Sequence, residues 1–240
     1  MLHVVFFDAA GTLFEPREPV ARSYARIAAQ FGVHADEHAV ASAFHRAFTT
    51  APALAFGPER SPGDLRRLER DWWHEVVARV FEGLGKFHDF DAYFDALFAF
   101  FGAAANWSAD PEAPQVLGRL KDSGVALGVI SNFDYRLYGI LEGLGLKSAF
   151  DSITISSEAG FAKPAPELFR AALRKHSARS AESLHVGDSE PLDVQGAGAA
   201  GIPAVLLDRG YHGPVLIGER TAKAGSLAYV LEVAQRLRLA

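Results

Sequence analysis

Leu2-His3-Val4-Val5-Phe6-Phe7-Asp8-Ala9-Ala10-Gly11-Thr12-Leu13 is the stretch that decides the fold: a short apolar run stops abruptly at an acid and a Gly-Thr turn. Continuous apolarity, unlike strict alternation, marks a strand covered on both faces, as in a parallel sheet. Four later runs share this character, at Val125 to Ser131, Ser152 to Ile155, Leu184 to Gly187 and Ala204 to Leu207. Amphipathic segments of helical length lie between them, at Pro114 to Lys121, Leu137 to Leu144, Pro166 to Lys175 and Leu192 to Ala200. Strands alternating with helices predict an α/β fold with a Rossmann-like, doubly wound parallel sheet.

About a hundred residues separate the first strand from the second, and they have helical periodicity without a convincing strand. Helices are expected at Val20 to Phe31, His38 to Thr49, Leu65 to Phe81 and Phe90 to Phe101. Breaks fall at Pro52, Gly57-Pro58, Ser61-Pro62-Gly63 and Gly83 to Gly85. The expected division is a Rossmann-like catalytic core from residues 1–15 and 108–240, with an all-α unit, residues 16–107, inserted after the first strand. Ser226 to Leu239 reads as a closing helix.

Composition narrows the class of function. A chain of 240 residues, 49% hydrophobic, can bury a sizeable core. Its net charge of -5, without runs of like charge, gives no footprint for nucleic acid or an anionic membrane, so a small-molecule substrate is the expected partner. No stretch approaches the roughly 18 apolar residues of a transmembrane helix. The first apolar run has no basic leader and is too short for a signal-peptide core, which leads us to expect a cytoplasmic protein. The absence of cysteine removes disulfides, thiolate metal sites and a thiol nucleophile, so the chemistry must use oxygen and nitrogen groups.

In an open parallel sheet, ligands bind beyond the carboxyl ends of the strands. The first strand ends in Asp8, the second in Ser131-Asn132 and the fourth in Gly187-Asp188-Ser189 with Asp193 following, while Lys163 stands shortly after the third. Alone, each has an ordinary explanation as a helix cap, a turn or a solvated charge. Together they mark one crevice. If Asp8, Asp188 and Asp193 converge there, each carboxylate raises the pKa of the others unless cations compensate. Lys163 and one hard divalent ion such as magnesium would bring the three carboxylates to formal neutrality before a phosphate dianion arrives.

This spaced set, Asp8 to Leu13, Ser131, Lys163 and Gly187-Asp188 to Asp193, resembles the four motifs of the haloacid dehalogenase superfamily of hydrolases. The resemblance implies that Asp8 is the nucleophile and a magnesium ligand, and that residue 10, here Ala10, offers the metal its backbone carbonyl. It implies that Ser131 and the backbone at Asn132 hold substrate oxygens, that Lys163 neutralises Asp8 and the transferring group, that Asp188 ligates the metal, and that Asp193 completes or orients the metal's shell. The inserted helices would be the family's cap. Ile130-Ser131-Asn132-Phe133-Asp134, Gly143-Leu144-Gly145-Leu146 and Ser157-Glu158-Ala159-Gly160 are similar to a phosphatase-like branch.

One position departs from that branch. Its phosphatases carry a second Asp two residues after the nucleophile, as general acid and base, where this chain has Ala10. Proton transfer of that kind contributes about 10² to 10⁴ in rate. Four readings follow: a phosphohydrolase with a good leaving group or a proton donor from the helices such as His45 or His74; a catalytically weak phosphate-binding or regulatory protein; a phosphonatase-like enzyme using Lys86; or a metal-free haloacid dehalogenase using arginines such as Arg22. His185, inside a strand, reads as a core residue. The helical stripe Phe90, Phe94, Leu97, Phe98 and Phe101 reads as packing within the helical unit, with a pocket wall or a homodimer face as alternatives, and Trp72-Trp73 is read likewise.

Overall fold

In the computed structural model, which describes residues 2–57, 60–237 and 239, β1 (Val4–Phe7) is buried along its whole length. Its side chains alternate between two cores. Val5 and Phe7 join a cluster with Leu117, Leu127, Ile140 and Val230, and Val4 and Phe6 join another with Leu168, Phe169 and Ala197. A strand with apolar residues on both faces needs cover on both, and the crossover helices supply it.

The elements follow in chain order. β2 (Phe14–Pro16) leads to α1 (Val20–Gln30), α2 (Glu37–Thr50), α3 (Pro62–Phe81) and α4 (Phe90–Gly102). The chain returns through β3 (Trp107–Ala109), α5 (Ala113–Asp122), β4 (Ala126–Ser131), α6 (Arg136–Gly143), β5 (Ser152–Ile155), α7 (Ser156–Ala159) and α8 (Pro166–Lys175). It closes with β6 (Ser183–Gly187), a π-helical turn at Glu190–Val194, α9 (Gln195–Ala199), β7 (Ala204–Leu207), β8 (Pro214–Gly218), β9 (Thr221–Ala224) and α10 (Val230–Arg236).

The main sheet has the order β5-β4-β1-β6-β7-β9-β8, parallel except for β8. This is the expected Rossmann-like α/β architecture. β1 lies between β4 and β6, and the chain winds outward from it in both directions. That reversal opens a crevice beyond the carboxyl ends of these three strands, the usual ligand position in such sheets.

The four helices between β2 and β3 have a core of their own, built on Tyr24, Ile27, Val40, Val77, Tyr93, Phe94 and Leu97. Their starts follow capping chemistry: Asp36, Ser61 and Asp89 each accept a hydrogen bond from the backbone N–H three residues on. Ser61-Pro62-Gly63 is therefore a helix start, with Pro62 in the first turn of α3, and the helix begins three residues before the expected Leu65. The Pro58 break lies outside the described residues, as do the end positions 1 and 240.

Two strand pairs escape the sequence pattern. β2 and β3 pair antiparallel, with Phe14 opposite Ala109 and Pro16 opposite Trp107, tying the two ends of the helical segment together. Three residues are too few to establish a period of two. The β8–β9 hairpin ends the sheet with Leu216 and Ile217 exposed, so burial imposes no clean alternation there. The closing helix spans only Val230–Arg236, after a 3-10 turn at Leu227–Tyr229. No helix among the described residues is long and apolar enough to cross a membrane.

Gly128, in β4, shows how tightly the central strands pack. A Cβ there would stand 2.7 Å from the Phe6 ring and 2.9 Å from Ser152 Oγ. Gly128→Ala should therefore destabilise the protein by about 1–3 kcal/mol through overpacking, read as a drop of several degrees in Tm by calorimetry. An unchanged Tm would mean that the Phe6 ring can move aside.

Candidate active site

Lys163 organises the crevice. Its ammonium, almost fully buried, donates to Asp8 Oδ1 at 2.5 Å and to Asp193 Oδ1 at 2.7 Å. Asp8 comes from the end of β1, where its N–H is held by Val186 O of β6 at 2.8 Å. Lys163 is carried by the loop after α7, and the Asn132 side chain fixes that loop. Asn132 Oδ1 accepts from Lys163 N–H at 2.7 Å, and Asn132 Nδ2 donates to Lys163 O at 3.0 Å. The end of β4 thus sets the backbone from which the ammonium reaches β1 and β6.

Asp8, Asp188 and Asp193 each direct a carboxylate oxygen into one group spanning no more than 4.8 Å. Two glycines permit this approach. A Cβ on Gly11, which has φ +92°, would stand 2.5 Å from Asp188 Oδ2, and one on Gly187 would stand 2.2 Å from Asp193 Cγ. Asp193 is the most constrained of the three: Oδ1 accepts from Lys163 and from His185 Nε2 at 2.8 Å, and Oδ2 accepts from Ser189 N–H at 3.1 Å.

The electrostatics follow from these contacts. Burial works to raise the Asp193 pKa, but Lys163 and His185 outweigh it and hold the carboxyl below the usual carboxylate range. Burial also pushes Asp8 up, and the Asp193 charge adds to this against the pull of Lys163. Asp188 is pushed up to about 6, first by loss of solvent around its carboxyl and then by Asp8 and Asp193. Burial alone would lower Lys163, yet its two carboxylates raise it, so the ammonium stays charged. One cation is shared among three acids, and the site is short of positive charge.

Every residue singled out at a strand end faces the same cavity of about 400 Å³: Asp8, Ala10, Ser131, Asn132, Lys163, Asp188 and Asp193. The helices supply the opposite wall. Phe94, Leu97, Phe98 and Phe101 line it while Phe94 and Leu97 also belong to the helical core, so most of the aromatic stripe serves both packing and pocket. Trp73 lines it too, donating from Nε1 to Asp134 Oδ2 at 2.7 Å.

Several expectations about proton donors are corrected. His45 is exposed on α2, and His74 is bonded to Asp91 at 2.9 Å and packed against Phe90 and Phe94; neither lines the cavity. Lys86 is exposed and away from the cavity, so the phosphonatase-like reading has no lysine in place. Arg22 pairs with Glu37 at 3.3 Å on the surface, which removes the arginine named for the dehalogenase-like reading.

Two contributors were missed. His185 is more than a core residue, since it holds Asp193 from the buried side. The signal was available: residues two apart on a strand share a face, so His185 points the same way as Gly187, against which Asp193 packs. Arg136 lines the cavity with its guanidinium engaged by both Asp134 oxygens and Phe98 O, stacked 3.8 Å from the Phe98 ring centre. Its register after Ser131 carried no pattern that could mark it.

Comparison with known proteins shows the family and the fold. Residues 2–201 match the haloacid dehalogenase-like hydrolase family. Haloacid dehalogenase-like hydrolase domain-containing protein 3 of Mus musculus is 34% identical over 209 residues, 86% of this chain and 82% of the relative. Phosphoserine phosphatase of Thermus thermophilus is 39% identical over 113 residues, 47% of this chain and 45% of that protein. The crystal structure of a phosphatase of the same superfamily from Thermococcus onnurineus shares the fold, with a TM-score of 0.65, 21% identity and 97% of each chain covered. With a match across five-sixths of its length and its acids and lysine gathered at the strand ends, this chain belongs to the haloacid dehalogenase-like hydrolases.

Proposed function

We propose that this hydrolase is a magnesium-dependent phosphohydrolase of the cytoplasm that transfers the phosphoryl group of a small metabolite to Asp8 and then to water, with residues 16–107 as a cap over the site. The observation that carries the reading is Lys163 Nζ held between Asp8 and Asp193 with Asp188 alongside, a charge-deficient oxygen site open to a cavity. The similarity to the Thermus phosphoserine phosphatase supports the same class of chemistry.

The donor set suits a hard cation: carboxylate oxygens, no sulfur, and too little positive charge from Lys163 alone. Asp8, Asp188 and the carbonyl of Ala10 are the residues to hold magnesium, and Asp193, with both oxygens engaged, orients them. Bound there, the ion would screen the phosphate and keep Asp8 ionised. Asp8 Oδ2, free of the Lys163 bond, attacks phosphorus as the ester bond breaks and its electron pair leaves on the alcohol oxygen. Lys163, the Ser131 hydroxyl and the Asn132 N–H bear on the phosphoryl oxygens, and water then cleaves the aspartyl phosphate.

Ala10 favours a second reading, a catalytically weak phosphate-binding or regulatory protein, because no carboxyl follows the nucleophile to move a proton.

Asp8→Asn should abolish turnover, and an excess of chelator should do the same to the unmodified enzyme; full activity in either case contradicts the mechanism. Ala10→Asp should raise turnover of ordinary alkyl phosphates by at least about tenfold, with a gain that grows with leaving-group pKa. No gain on any monoester would favour the phosphate-binding reading. In the metal-free protein, Asp188→Asn should raise Tm by roughly 2 °C at pH 8 and leave it unchanged at about pH 3. The sign follows from Asp188 sitting near 6: a carboxyl with a raised folded-state pKa opposes folding once ionised, and does so not at all below its ordinary value of 3.8. A lower Tm at pH 8 would show that Asp188 is compensated without a metal.

A further inference from the structure

The cavity has two chemically distinct ends. At the strand ends it is polar and charged. Toward the helices its wall is built from Phe44, Phe48, Trp73, Phe94, Phe98 and Phe101, closed on the core side by Trp107 and Phe133. Two of the polar side chains on this wall, Trp73 and Arg136, are already engaged, which leaves the Tyr24 hydroxyl. Trp73 Nε1 donates to Asp134, and Arg136 donates to both Asp134 oxygens and to Phe98 O. Tyr24 is the one titratable side chain that the helices contribute, and burial pushes its hydroxyl above the ordinary phenol range. No carboxylate, histidine or lysine of the helices reaches the cavity among the described residues.

Two further observations concern the rim. Phe48 is 44% exposed yet stacked between the rings of Phe44 and Trp73, at 5.5 and 5.9 Å. Leu192, 36% exposed, stands on the turn after β6. Both line this cavity, one from each side, and both would be covered by an apolar group seated in it. A polyol, an amino acid or a nucleotide would instead lose its hydrogen bonds to water and find only the Tyr24 hydroxyl on this wall. At about 400 Å³ the cavity lies in the range of roughly 300–1,000 Å³ usual for small-molecule sites.

We infer that the substrate is the monophosphate of an apolar aromatic alcohol, an aryl phosphate, whose ring stacks in the Phe44–Phe48–Trp73 wall while its phosphoryl group meets Asp8. The inference rests on the phosphohydrolase reading and deepens it, because it also accounts for Ala10. An aryl oxyanion leaves without a proton. The bond from Asp8 to phosphorus forms, the aryl oxygen departs with the electron pair and takes its proton from solvent, and water hydrolyses the aspartyl phosphate. The apolar wall and the missing proton donor therefore select the same leaving group.

The test compares 1-naphthyl phosphate with glycerol 3-phosphate, which is polar, and with acetyl phosphate, whose leaving group is acidic but small. kcat/KM for 1-naphthyl phosphate should exceed that for glycerol 3-phosphate by about 100-fold or more. It should also exceed that for acetyl phosphate, chiefly through a lower KM. In Phe48→Ala the preference for 1-naphthyl over acetyl phosphate should shrink by about tenfold, the share of one aromatic contact. Preference for acetyl phosphate, or a Phe48→Ala enzyme with the parent preference, overturns the inference while leaving the phosphohydrolase reading intact. If none of the three turns over, the phosphohydrolase reading fails, and binding decides the chamber: at least tenfold tighter affinity for 1-naphthyl phosphate than for glycerol 3-phosphate supports it, and equal affinities overturn it.

Discussion

An ammonium group taken out of water and held against two carboxylates is the constraint from which the rest of this site follows. Burying such charges costs several kcal/mol per ion even after relaxation, and mutual attraction repays it only when the geometry is good. Here Lys163 reaches Asp8 at 2.5 Å and Asp193 at 2.7 Å, the latter also held by His185 and Ser189. Each partner belongs to a different strand end or loop, so the ion cluster fixes the relative positions of β1, β6 and the segment after β5. Apolar residues of similar volume would serve stability as well or better. The arrangement makes sense as chemistry, with Asp188 added to a cluster already rich in negative charge.

Small residues make that density of charge possible. Gly11 and Gly187 stand where any side chain would collide with Asp188 or Asp193. Ala10 fits the same backbone but withholds the carboxyl that would move a proton to the leaving group. The helices bring no histidine to replace it, since His45 is exposed on α2, His74 is bonded to Asp91, and neither lines the cavity. A low-dielectric enclosure strengthens every charge interaction at the polar end. In the proposed reaction it would also leave a departing oxygen without a carboxyl donor, which would link leaving-group acidity to pocket polarity.

Much of this was legible in the sequence. Apolar runs ending in Asp8, Ser131-Asn132 and Gly187-Asp188 located the strands of the central sheet and the crevice beyond them, because burial on both faces leaves an unmistakable signature over four or more residues. The helical segment was legible through its period, although Ser61-Pro62-Gly63 read as a break and is a helix start. What failed to register was short or tertiary. β2 and β3 have three residues each, and β8 lies at an exposed edge. Arg136 and Trp73 acquire their importance only from meeting Asp134 across the gap between the helices and the sheet. The aromatic stripe announced its helix but not that four of its members would face the site, since a residue packed in a core and one lining a pocket leave the same trace.

The central claim is that Asp8 receives a phosphoryl group in a site completed by magnesium. Crystals grown with magnesium and beryllium fluoride test it directly, because trifluoroberyllate adds to a carboxylate oxygen as a stand-in for its phosphorylated form. The account predicts a beryllium–oxygen bond to Asp8, fluorines facing Lys163 and Ser131, and a magnesium ion between Asp8 and Asp188. Beryllium fluoride absent from Asp8 under saturating conditions, or attached to another carboxylate, would contradict it.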